Sequence, residues 1–386
     1  MKVVILTSDN RERFKKYDDA MPQFGPAPTA LLEGFAMLPH SEAEVHVISC
    51  LQKPAPAPEK IADNMWFHGL VVPKMGWLRT LYQGCIRAAR KKIHEINPDI
   101  VHGQGTERDC AVSAIFSGFP NVLTIHGNMR AVAKFYGTSP GSFYWMAAKL
   151  ETFALKRTVG VFCNSAYTES LVAPHAKRVW RVPNALRRPF FDLPVKSKES
   201  QLPILLNVGE IFPRKQQVEL LEVAKKLHQR GFHFELQFIG TVEPETDYGK
   251  AFLRGLAEGQ KAGYARHLGP MSARDLIGVM DEAAALIHCP SEEAFGLVVA
   301  EGMARNLRFF GFAVGGIVDI ASGVEGAEVF PDHDWLALET GIAKWLEAGS
   351  PRPKTASQTA RSRYAPGIIA KRHLEIYRSL AGNKNG

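Results

Sequence analysis

Short apolar runs alternate along this chain with stretches whose apolar residues recur at helical spacing. Val3–Thr7, Val45–Ser49, Ile100–His102, Val122–His126, Gly160–Asn164 and Arg178–Val182 read as strands. Thr29–Leu38, Leu78–Ile96 and Phe143–Thr158 read as helices, the second closed by Asn97-Pro98, which cannot prolong it. Strands separated by helices imply parallel pairing through crossovers, so an α/β sheet is predicted.

The pattern lapses between Pro183 and Pro203, where Pro, Lys and Ser accumulate as in an interdomain linker. It then restarts with strands at Ile204–Val208, Glu235–Ile239, His267–Leu268 and Ala284–His288. Helices are predicted at Gln217–Gln229, Lys250–Ala262, Ala273–Glu282 and Gly296–Ala304, with a last one at Ile368–Leu380. At 386 residues the chain is long for one core, and two βα domains with a cleft between them are expected.

Composition narrows the class only a little. A chain 46% hydrophobic and 22% charged is globular rather than disordered. The N-terminal apolar run is too short for a signal-peptide core, and no run approaches a membrane span. Five scattered cysteines without a C-x-x-C pair read as reduced, buried thiols of a cytoplasmic protein, with no zinc site. The net charge of +8 falls entirely on residues 1–195, which hold 24 basic against 16 acidic side chains. That asymmetry fits attraction to an anionic acceptor or membrane, or merely a soluble surface; no nucleic-acid-binding module accompanies it. The basic stretch Trp77–Ile96 likewise reads either as a helix lying on an anionic membrane or as one packed on the sheet.

The most informative segment is His288–Ala304, HCPSEEAFGLVVAEGMA. A strand runs through a short loop with two carboxylates into a helix, whose free N–H groups and dipole suit a phosphate. Gly296 permits close approach to the backbone. Glu301 is placed to accept hydrogen bonds from ribose hydroxyls, and Glu293 to reach a sugar hydroxyl.

Glu293 and Glu301, separated by A-F-G-L-V-V-A, resemble the paired-glutamate motif of the family 4 glycosyltransferases, members of the glycogen-synthase-like superfamily with the GT-B fold. Thr124-Ile125-His126-Gly127, Asn164–Thr168, Val182-Pro183-Asn184 and Val208-Gly209 with Pro213-Arg214-Lys215 resemble other segments of that family in the same order. The resemblance implies two Rossmann-like domains facing each other: residues 1–190 for the acceptor and 191–365 for the nucleotide sugar. Residues 366–386 would cross back as a helix onto the first. It implies a retaining, metal-independent transferase moving a hexose from a nucleotide-diphosphate sugar, UDP- or GDP-linked, to a glycan or lipid-linked acceptor, as in surface polysaccharide or lipopolysaccharide assembly. No cofactor or metal is implied, and peripheral contact with an anionic membrane is an accompanying expectation.

By the same resemblance Lys215 pairs with the donor diphosphate, helped by Arg214, Gly209 and Gly25. Glu301 holds the ribose, and Glu293 with the backbone of Phe295, Gly296 and Leu297 holds the sugar. His126 stands at its reacting face, making His126, Glu293 and Lys215 the expected catalytic set. His102, Gln104 and Glu107, in a glycine-containing loop at a strand end, are the expected acceptor contacts. Three departures stand out: Glu210 where the family has arginine, Phe24–Pro28 in place of a glycine pair, and Asn306-Leu307 after the motif helix. Two other functions fit the same architecture, a nucleotide-sugar 2-epimerase and a catalytically weak sugar-nucleotide-binding protein.

Overall fold

The computed structural model describes residues 1–195 and 202–381; residues 196–201 of the predicted linker lie outside them. The chain forms two compact units, one of Met1–Arg187 with Tyr364–Gly386, the other of Arg188–Arg363.

The first unit is built on β1 (Lys2–Leu6), β2 (Glu44–Leu51), β3 (Lys60–Ala62), β4 (Met65–Val71), β5 (Ile100–Gln104), β6 (Asn121–Ile125), β7 (Gly160–Cys163) and β8 (Val179–Arg181). Their order is β3-β4-β2-β1-β5-β6-β7-β8, parallel except for β3 against β4. The second unit holds β9 (Ile204–Val208), β10 (Glu235–Ile239), β11 (Ala265–Gly269), β12 (Ala285–His288), β13 (Arg308–Phe312) and β14 (Ala327–Phe330), all parallel in the order β11-β10-β9-β12-β13-β14. Near-continuous burial of these strands reflects helices on both faces. In each sheet the order reverses beside the first strand, between β1 and β5 and between β9 and β12. At such a switch point the loops leaving the carboxyl ends diverge and open a crevice.

Several elements differ from the sequence reading. Leu78–Ile96 is not one helix. Two single 3₁₀ turns precede a helix that starts at Gln83, because Leu81 and Tyr82 take left-handed conformations, φ 51° and 62°. Trp77 buries its ring there and donates its indole N–H to Val72 O, which turns the chain into the core. The basic helix that remains buries Cys85, Ile86, Ala89 and Ile93 on the sheet. Within the predicted linker, Pro189–Asp192 forms a helical turn with Phe190 fully buried. The stretch from Ala304 to Ile368, for which the sequence pattern names no element, supplies β13, β14 and the helices Ile317–Ala321, Trp335–Glu347 and Ala356–Tyr364.

The final helix, Pro366–Ala381, packs on Pro26–Ala36 within the first unit, with the rings of Tyr377 and Phe35 stacked. All five cysteines are buried and free. Cys50, Cys85 and Asp109, distant in sequence, bring ligand-type atoms within 4.8 Å of one another. A hydrogen bond with Cys85, then burial, raises the Cys50 thiol well above its ordinary range, so this thiol is protonated in the core.

Arg305 is the principal polar staple of the second unit. Its guanidinium, fully buried, pairs with Asp281 at 2.7 and 2.8 Å and donates to the carbonyls of Phe190, Leu193 and Pro194. Replacement by alanine leaves a buried carboxylate and three carbonyls without this donor. Arg305→Ala is expected to cost about 3–5 kcal/mol in urea unfolding of the second unit, far more than loss of an exposed pair such as Lys225–Glu258.

Candidate active site

The two loops at the β9/β12 switch point are cross-linked by their own backbone and charges. The loop after β9 runs through Gly209 and Glu210 into a 3₁₀ turn, Pro213–Lys215. Buried Gln217 braces it, accepting from Phe212 N–H at 3.2 Å and donating to Glu210 O at 3.0 Å. The loop after β12 docks on that turn through Ser291 N–H donating to Arg214 O at 2.9 Å. Two ion pairs flank the contact: Arg214 with Glu292 at 2.6 Å, and Lys215 Nζ with Glu293 Oε2 at 2.5 Å.

His288, at the end of β12, donates Nε2–H to the same Glu293 oxygen at 3.2 Å. Burial alone would raise the Glu293 carboxyl, but the Lys215 charge and the His288 hydrogen bond outweigh it and hold the group well below the usual carboxylate range. Burial, then the Lys215 charge, lowers His288, so its imidazole stays neutral at pH 7. The side chains of Lys215 and Glu293 are 19% and 16% exposed, so this pair remains open to a ligand.

Gly296 introduces the helix Leu297–Ala304 at φ 96°, a conformation that favours glycine. On that helix Glu301 is buried, as is Phe295 before it. A second glycine requirement escaped the sequence reading. The loop after β13 lies flat on the backbone of Glu293–Phe295, and a Cβ on Gly315 would fall 1.8 Å from Glu293 O. Gly316 N–H donates to that carbonyl at 3.0 Å. The visible signal was the Gly-Gly pair following the apolar run RFFGFAV. No atom lies within 4 Å of where a Gly209 side chain would begin, and the Glu210 side chain is exposed.

In the first unit, the carboxyl ends of β5 and β6 carry a second polar cluster. His126 donates Nε2–H to Gln104 Oε1 at 2.9 Å, and the Gln104 amide lies 3.2 and 3.3 Å from the two ring nitrogens of His102. Burial lowers His126 to about 4, with Asn184 opposing, so it too is neutral at pH 7. Gln104, Thr124, His126, Asn184 and His373 line a small pocket there. His102 does not meet its expectation as an acceptor contact. It is 0% exposed and hydrogen-bonded to Thr124 and Tyr377, because the final helix covers its face of β5. Glu107 is half-buried, and burial, then the Glu151 charge, raises its carboxyl to about 7. Gly25 caps Pro26–Ala36 in an unstrained conformation. The loop after β1 also hides a pair the sequence did not reveal, Asp9 with Arg11, both fully buried.

Thus Gly209, Arg214, Lys215, Glu293, Phe295, Gly296, Leu297 and Glu301 all belong to the second unit, and Gly25, His102, Gln104, Glu107 and His126 to the first. Family comparison gives the same division. Residues 31–187 match the family described as Glycosyltransferase Family 4, and residues 191–363 the family described as Glycosyl transferases group 1. The chain belongs to glycosyltransferase family 4.

Solved structures similar to this family 4 chain share its GT-B fold at low identity. The sucrose-phosphate synthase of Thermosynechococcus elongatus superposes with a TM-score of 0.72 at 17% identity, covering 100% of both chains. Anabaena HepE in complex with UDP and glucose superposes with a TM-score of 0.71 at 16% identity, covering 98% of this chain and 100% of that one. By sequence, the trehalose synthase of Pyrococcus horikoshii is 23% identical over 189 residues, 48% of this chain and 46% of the relative. The family 4 chain thus spans about half the length of the curated relatives it matches.

Glu293 titrates in the fold below its unfolded value near 4.5, so its pairing stabilises fully above about pH 5 and is lost as pH falls through that range. Lys215→Met leaves burial dominant and moves the carboxyl upward. Urea midpoints from about pH 3 to 7 should fall less on acidification for Lys215→Met than for the parent protein. Parallel acid limbs would show that the two side chains are not coupled.

Proposed function

We propose that this family 4 chain transfers a hexose from a UDP- or GDP-linked sugar to a glycan or lipid-linked acceptor, with retention of anomeric configuration and without a metal ion. The observation that carries this reading is the convergence at one switch point of the open backbone at Gly209, the Lys215–Glu293 pair and the entry of the helix bearing Glu301. The Anabaena relative solved with UDP and glucose supports a nucleotide sugar as donor.

In this reading the diphosphate lies over Gly209 and the N-terminal amides of Leu297–Ala304, where helix dipole and cation both oppose its charge. Lys215, with Arg214, stabilises the departing diphosphate, the role a divalent ion would otherwise fill. Glu293 accepts hydrogen bonds from the sugar, and the peptide groups of Phe295, Gly296 and Leu297 surround it. Glu301 accepts from the ribose hydroxyls. His126, neutral at pH 7, serves as a hydrogen-bonding partner for sugar hydroxyls rather than as a cation, and Gln104 and Glu107 face the acceptor. Exposed Glu210 leaves the diphosphate unopposed by its carboxylate.

Glu301→Ala should weaken nucleoside diphosphate binding through loss of charge-assisted hydrogen bonds worth about 1.5–3 kcal/mol, roughly ten- to a hundredfold in Kd. Lys215→Ala should lower kcat about 10²–10³-fold while changing nucleoside binding little. Thermal-shift titration with UDP, GDP and ADP identifies the base. Proton NMR of the product, with chelator present, then reads the anomeric configuration and the metal requirement. An inverted product, or activity lost to chelator, would sink the finer mechanism. Release of an epimerised sugar without acceptor would replace transfer by 2-epimerisation.

A further inference from the structure

The first unit carries an αα-hairpin whose surface chemistry has no role in the chemistry above. Helix Met129–Phe135 and helix Phe143–Arg157 pack against each other and are joined by Tyr136–Ser142. Large rings crowd the tip. Phe135, Tyr136 and Phe143 are 51%, 44% and 45% exposed, and Tyr136 stacks on Tyr144 with ring centroids 4.8 Å apart. Phe135 and Phe143 lie edge-on to their tyrosine neighbours, so four rings form one continuous ladder.

Along the second helix the stripe continues at four-residue steps through Trp145, Lys149, Phe153 and Arg157. The Lys149 ammonium sits over the Trp145 ring at 5.5 Å and the Arg157 guanidinium over Phe153 at 3.5 Å. Phe116, 39% exposed, lies beside Phe153. Between Met129 and Arg157 the charged residues are Arg130, Lys134, Lys149, Lys156, Arg157 and one acid, Glu151. That acid is buried, accepting from Thr106 Oγ1 and Met129 N–H, so the hairpin shows solvent cations only.

We infer that this hairpin docks the protein on an anionic phospholipid bilayer, with the aromatic tip in the headgroup layer and the cations against lipid phosphates. Such a surface is anionic outside and apolar just beneath, the order in which the hairpin offers lysines and rings. A second copy of the chain is disfavoured, because a two-fold contact would set this cationic stripe against itself. Among the described residues no helix is long and apolar enough to cross a membrane, so the inferred attachment is peripheral. It replaces the basic stretch Trp77–Ile96 as the contact, since that helix spends its apolar stripe on the sheet. The inference does not depend on the donor chemistry.

The test is co-sedimentation of the full chain with vesicles of phosphatidylcholine alone or with about one-third phosphatidylglycerol, at low and high salt. The protein should bind only the anionic vesicles, and less as salt rises. The triple variant Phe135→Ser, Tyr136→Ser, Phe143→Ser should lose at least about tenfold in partition coefficient, and Lys134→Glu, Lys149→Glu, Lys156→Glu should abolish binding. Thermal shifts with nucleoside diphosphates should be unchanged in both variants. Failure of the parent protein to bind anionic vesicles overturns the inference, as does parental binding by the charge variant or by a ring variant with native circular dichroism. A dimer seen by light scattering and lost in the ring variant would overturn it in favour of self-association. Should the ring variant fail to fold, the charge variant decides alone.

Discussion

Lys215 and Glu293 constrain each other, and much of the second unit's carboxyl edge follows from that contact. An ammonium and a carboxylate, each mostly withdrawn from water, are costly to leave without one another. The loop after β9 and the loop after β12 must therefore hold a fixed spacing. The Ser291–Arg214 backbone bond and the Arg214–Glu292 pair maintain it from the side, and Gln217 maintains it from below. The Gly315-Gly316 loop then lies on the Glu293 backbone so closely that no side chain fits between. Sugar-nucleotide chemistry asks for this stiffness, since groups aimed at developing charge act best when they need not reorganise.

The same arrangement explains which parts of the site could be read from residues alone. Glu293, Gly296 and Glu301 lie within nine residues of one strand–loop–helix junction, so spacing sufficed to group them. Lys215 joins them only through the β9–β12 adjacency, and the resemblance, not local pattern, pointed to it. Gly315-Gly316 matters because of what it touches, and touching is invisible in sequence. The Asp9–Arg11 pair was hidden likewise: a charged tripeptide reads as surface until its burial is known. Strands were legible where they are short apolar runs: β9, β10 and β12 were predicted to within a residue of their ends, whereas only His267 and Leu268 of β11 were. Between Ala304 and Ile368 the fold was not read, although Arg308–Phe312 carries a strong apolar run, because Gly311 and the close spacing of short elements blurred the period. The predicted long helix at Leu78–Ile96 failed for a different reason: burying Trp77 outweighed helical continuity across Leu81 and Tyr82.

His102 shows how a strand-end histidine can support a site without facing it. Its ring is enclosed by Phe162, His373 and Tyr377, two of them from the final helix, and it bonds Thr124 and Tyr377. Gln104, two residues on, lies on the same face of β5 and is the link between this enclosed ring and His126. Burial depresses all three histidines of the cluster, and Pro366–Ala381 encloses His102 through His373 and Tyr377.

Where two acids and two bases meet at the β9/β12 switch point, they pair and hold the local net charge near zero. Under the function proposed above, an incoming diphosphate would compete with Glu293 for Lys215, and the displaced carboxylate, still bonded to His288, would need new donors. Sugar hydroxyls are donors of that kind, and water is a poorer substitute in a half-buried setting. Diphosphate alone would leave Glu293 under-satisfied, whereas diphosphate bearing a sugar would satisfy both partners at once. On that proposal, discrimination for the intact donor over the free nucleotide would arise from a single exchanged ion pair.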